Sequence, residues 1–165
     1  ASALIGSEPQ LLDLGGVFSS QREEMARLER ILAALEADTG YKLRVLTLSP
    51  QLRGDAAVLS QARQTLRIQM VKGRIEPNAA LILADRGIPG SLEAGSPYLR
   101  YDVGDNVRLV LPDIFWGRLQ REYGKRAFVE ARGDAASIIV TCELVLTFVS
   151  SHLRQARLSL TLGEF

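Results

Sequence analysis

The run Ala79-Ala-Leu-Ile-Leu-Ala84 contains no polar residue, has the length of a strand, and is bounded by Pro77 on one side and by Asp85 and Gly87 on the other. A strand without a polar face must be covered on both sides, which places it centrally in a sheet with helices above and below. The sequence before it supplies neighbours. Leu43-Arg-Val-Leu-Thr-Leu48 alternates and carries β-branched residues, the pattern of a second strand. Ser20 and Glu23 form a capping box with Phe18 as a hydrophobic staple. They open a helix in which Met25, Leu28, Leu32 and Leu35 share one face and Gly40 stands just past the end. Asp55 can N-cap a further helix to about Gln69, with Leu59, Ala62, Leu66 and Met70 on one face.

Beyond the central run, Asp85 to Pro97 is turn-rich. Tyr98–Val103 and Val107–Leu111 read as two strands joined in a hairpin at Gly104-Asp-Asn106. Pro112 and Asp113 then open a short helix carrying Phe115, Trp116, Leu119 and Tyr123, closed by Gly124, with Asp113 as its N-cap. Ala127–Glu130 reads as an edge strand, and Gly133-Asp134 starts a last helix to about Gln155. The alternation of helix and strand in the first half implies right-handed crossovers and parallel neighbours, to which the hairpin adds antiparallel pairing. The expectation is an α/β (α+β) single domain with a mixed sheet of about four strands and helices on both faces. Residues 1–17 have no clear period and read as an arm that lies on the domain or stays mobile. The domain then spans 18–156 and a tail 157–165.

Composition narrows the function classes. With Lys+Arg 20 against Asp+Glu 19, the formal net charge is +1, which argues against a nucleic-acid binder. Only Lys42, Lys72 and Lys125 are lysine; the other 17 bases are arginine, whose planar fork pairs carboxylates bidentately. A codon bias toward arginine explains the same count. Cys142 is the only cysteine, so no intrachain disulfide forms, and its apolar surroundings suit a buried inert thiol. His152 is the only histidine, which leaves no His cluster for zinc and reads best as a surface or capping residue. Ile138–Val149, the longest apolar stretch, is interrupted by Glu143 and two Thr, so it reads as a buried helix rather than a membrane span. Ala1-Ser-Ala3 reads as the start of a processed chain, as after export or organelle import.

Several segments together resemble one family. Glu36-Ala-Asp-Thr-Gly-Tyr-Lys-Leu-Arg-Val-Leu46 and Ala80-Leu-Ile-Leu-Ala-Asp-Arg-Gly87 are similar to the two early signatures of the TPM domain. Val103-Gly, Leu111-Pro-Asp-Ile-Phe-Trp116, Arg118-Leu, Tyr123-Gly and Arg132-Gly-Asp134, followed by a Val/Ile-rich helix with Cys142, resemble its plant and algal thylakoid lumenal 15-kilodalton branch. The resemblance covers roughly residues 20–154. It implies a single TPM-like domain in the chloroplast thylakoid lumen. It also implies an auxiliary role at photosystem II during assembly or repair, docking on core subunits through protein contacts rather than catalysing a reaction.

Candidate sites follow from both readings. Aromatic and Arg residues are enriched at interface centres, which singles out Phe115, Arg118 and Arg121, with Trp116 as a core residue. The tail's Arg157, Leu158 and Leu160 alternate and suit strand addition to a partner's sheet or to this chain's own. No catalytic residue is assigned. Some TPM relatives imply the alternative of a metal-dependent acid phosphatase. Here Asp85, Glu93, Asp102, Asp105 and Asp113 are the carboxylates available, and their oxygens suit calcium or magnesium. Turn and cap roles explain most of these residues. Pro77-Asn-Ala79 also stands where many TPM domains carry an Asp-Asn/Gly pair.

Overall fold

In the computed structural model the described residues are 9–52, 54–85, 98–119, 121, 147 and 149–156. The elements in chain order are β1 (Leu11–Asp13), α1 (Arg22–Thr39), β2 (Lys42–Leu48), α2 (Ala56–Thr65), β3 (Met70–Val71), β4 (Arg74–Ile75), β5 (Ala79–Asp85), β6 (Tyr98–Val103), α3 (Asp105–Val110) and α4 (Asp113–Leu119). Residues 149–156 are helical. The expected edge strand at Ala127–Glu130, the helix closure at Gly124, Cys142 and the tail lie outside the described residues.

The main sheet has the order β1-β2-β5-β6. β1, β2 and β5 run parallel and β6 is antiparallel to β5, which is the mixed four-stranded sheet expected. β5 is internal, as its apolar composition requires. Its alternate side chains enter two different cores. Ala80, Ile82 and Ala84 join Leu43 and Val45 beneath α1, where Leu28, Leu32 and Leu35 are buried. Ala79 and Leu81 join Leu46 and Leu48 beneath α2, with Ala62 and Leu66. Both connections step the sheet in the same direction, β1 to β2 and β2 to β5, yet they pass over opposite faces. They therefore have opposite hands, and one departs from the right-handed rule anticipated from the sequence.

Residues 9–17 contribute more than an arm. Leu11–Asp13 pairs with Val45–Thr47 as an edge strand. The Asp13 carboxylate accepts from the amides of Val17 and Phe18 at 2.9 and 2.8 Å and from the Thr47 hydroxyl at 2.5 Å. This turn carries the chain into α1 and displaces the expected capping box. The N-cap is Gln21, without a side-chain bond, while Phe18 is buried and its carbonyl accepts from the Gln21 amide. Gly40 ends α1 in the left-handed conformation, as read from the sequence.

Asp55 does cap α2, accepting from the amides of Ala57 and Val58, but the helix stops at Thr65 rather than near Gln69. Its end is fixed by Arg44, which is buried on the same sheet face. The Arg44 Nε donates to the Leu66 carbonyl at 3.0 Å and its Nη2 meets Glu36 at 2.6 Å. The next residues form the small antiparallel hairpin β3–β4, turned by Lys72 and Gly73, both at positive φ. Two successive positive φ values make the type I′ turn favoured in tight hairpins. Met70 therefore stands exposed on the hairpin instead of on the buried face of α2.

The second strand of the expected 98–111 hairpin is helical. Val107, Leu109 and Leu111 alternate in sequence, but Val107 and Leu111 are buried one helical turn apart and Leu109 is exposed. Gly104 is the reason the chain can turn here. A Cβ at that position would lie 2.3 Å from the Glu76 carbonyl oxygen and 2.5 Å from that of Pro77. This close approach lets the amides of Asn106 and Val107 donate to the Pro77 carbonyl, which starts α3. In α4 the Pro112 carbonyl accepts from Phe115 and Trp116, so Asp113 is a first-turn residue and not the expected N-cap.

Candidate functional site

The helix pair α3–α4 is held from beneath by aromatics. Trp116 is buried and donates its indole N–H to the Leu111 carbonyl at 2.9 Å, which satisfies its only polar atom. Its ring lies 5.2 Å from that of Tyr101 and meets Phe115 edge-on at 5.6 Å. Phe115 is half-buried, and its other neighbour is His152 at 5.0 Å, on the last helical segment. His152 thus packs a ring contact, and the same segment is tied to α1 by the Arg154–Asp38 ion pair.

With Trp116 and Leu119 facing the core, the opposite side of α4 is set by helical spacing. Ile114 and Arg118 are four residues apart, and Arg121 follows three later, so all three point outward together. Ile114 is 71% exposed, and Leu109 on α3 is 82% exposed. The Arg108–Asp113 ion pair, 3.1 Å, joins the two helices between them. Of the expected docking residues, Arg118 and Arg121 share this surface. Phe115 supports it from below. Arg157, Leu158 and Leu160 lie outside the described residues. Sequence reading missed Leu109, which the alternation had placed in a strand, and Ile114, whose spacing to Arg118 was available.

The acidic candidates are dispersed. Asp85 is fully buried at one end of β5, opposite Tyr98, whereas Asp102 pairs with Leu81. Four residues of strand separate the two positions, about 13 Å. Asp105 is exposed and bonds Arg74 at 3.0 Å, and Asp113 is taken by Arg108. Glu93 lies outside the described residues. Asn78, in the segment that stands where many TPM domains carry an Asp-Asn/Gly pair, accepts from Asn106 at 2.6 Å. Among the described residues no three His, Cys, Asp or Glu side chains come together to hold a metal ion. The donor set considered for calcium or magnesium is therefore not gathered within those residues. A separate apolar groove of about 490 Å³ runs between β1 and α2, lined by Leu12, Leu14, Leu52 and Val58 among others.

Comparison with known proteins agrees with this architecture. The chain is 28% identical over 164 residues to the thylakoid lumenal 15.0 kDa protein 2, chloroplastic, of Arabidopsis thaliana, a match covering 94% of this chain. It spans 63% of that relative's length. The fold is similar to the solution NMR structure of the N-terminal domain of a protein from P. gingivalis, with a TM-score of 0.60 and 19% identity over 93% of this chain and 87% of that one. The TPM domain profile matches residues 11–142, from the first strand of the sheet onward, and the chain belongs to the TPM-domain family.

Proposed function

We propose that this chain is an auxiliary factor of the thylakoid lumen that docks on photosystem II cores or their intermediates during assembly or repair. The compartment is supported by the name of the Arabidopsis relative, a chloroplastic thylakoid lumenal protein. No helix among the described residues is long and apolar enough to cross a membrane. The observation that carries the docking role is the outward stripe of Ile114, Arg118 and Arg121 beside Leu109. Large apolar side chains held this far out in water, next to cations, are the composition of an interface centre. The mechanism is occupancy: the factor covers a lumenal surface while other subunits are absent. Arg157, Leu158 and Leu160, outside the described residues, are the second docking candidate.

Size fractionation of mildly solubilised thylakoids tests this reading. The chain is expected to comigrate with photosystem II cores, more so after high light. If it never does, the docking role at photosystem II fails.

A further inference from the structure

We infer that the β3–β4 hairpin, α3 and α4 form one continuous docking strip for an acidic, amphipathic protein segment. The inference rests on the docking reading above and names the chemistry of the partner. Continuity comes from a chain of contacts. Val71 and Arg74 are cross-strand partners and so share one face of the hairpin. Arg74 bonds Asp105 at 3.0 Å, which ties the hairpin to the first turn of α3. Leu109 lies one turn beyond Asp105 on the same side of α3. The Arg108–Asp113 pair crosses to α4, where Ile114, Arg118 and Arg121 continue the surface. Val71 is 50% exposed, so the strip presents three apolar side chains from three elements.

Its charge is one-sided. Lys72, Arg74, Arg108, Arg118 and Arg121 face Asp105 and Asp113, five cations against two carboxylates, an excess of three on a chain whose net charge is +1. Lys72, Arg118 and Arg121 have no carboxylate partner among the described residues. The partner must therefore bring acids together with apolar contacts. Asp105 and Asp113, paired with Arg74 and Arg108, alternate with the cations along the strip, a mixed pattern that a protein segment can match residue by residue and a uniformly anionic membrane cannot. Arginine forks select carboxylates over a diffuse negative field.

Lys72 at the hairpin tip makes the test specific. A zero-length carbodiimide joins a lysine amine to a carboxylate it touches. The full chain is mixed with isolated photosystem II cores, cross-linked and mapped by mass spectrometry. A Lys72 adduct to a core Asp or Glu is expected. Lys72→Arg, which keeps the charge but removes the reactive amine, should abolish the adduct. Leu109→Asp, and separately the double change Arg118→Glu with Arg121→Glu, should each weaken binding about tenfold or more. Wild-type binding that ignores these variants and yields no Lys72 adduct overturns the strip while leaving the docking role in place. An absence of any wild-type binding overturns both. In a parallel arm, vesicles of phosphatidylglycerol and phosphatidylcholine that capture the wild type but not Leu109→Asp would assign the strip to lipid and overturn the protein partner.

Discussion

Individual residues set the tolerances of this fold. Gly104 is one such position, because the carbonyls of Glu76 and Pro77 occupy the space a methyl group would need. Gly104→Ala forces backbone apart, and a loss of about 2–3 kcal/mol is expected in urea or guanidinium unfolding. Glu29 shows a different constraint. Partial burial on α1 lifts its carboxyl above the ordinary value of 4.5. Between 4.5 and that raised value the folded chain holds a proton that the unfolded chain has released, so stability falls as pH rises through the window and is level above it. Glu29→Gln removes this dependence. Its stability should match the wild type below pH 4.5 and exceed it at neutral pH, as read by denaturant midpoints at the two pH values.

Elements were legible where packing and local chemistry agree. The apolar run of β5, the alternation of β2 and the caps Gly40 and Asp55 all marked what formed. Asp55→Ala should cost about 1 kcal/mol, measurable as a lower unfolding midpoint, because two amides at the start of α2 lose their acceptor. Elements fixed by distant partners were not legible. β1 is three residues long and exists because β2 offers an edge and Asp13 finds Thr47 34 residues away. The end of α2 is decided by Arg44 from a neighbouring strand. α3 was mistaken for a strand because six residues are too few to separate a period of two from one of 3.6; the Pro77 carbonyl chose the helix. The I′ turn at Lys72-Gly73 lacks the usual Asn or Asp signal, so the hairpin was missed too, and with it one end of the proposed docking strip. Arg118 and Arg121 were legible as a pair because helical spacing is a local property.

At the scale of the molecule, the sheet depends on both of its ends. A chain beginning at Val17 would lack β1, leave β2 as a new edge, and strip Val17, Phe18 and Thr47 of the Asp13 carboxylate. It should unfold at clearly lower denaturant and show concentration-dependent aggregation in light scattering, since an uncovered apolar strand recruits other chains. The opposite end of the sheet behaves otherwise. There the β6–α3 turn rests directly on the chain that leaves the hairpin, and Arg74 spans the same junction. Hairpin and helix are held together at this junction, so a partner docking as proposed would meet a preformed surface. Association then needs no folding step, and its rate is set by diffusional encounter and ionic strength, with mutations felt mainly in how long the complex lasts.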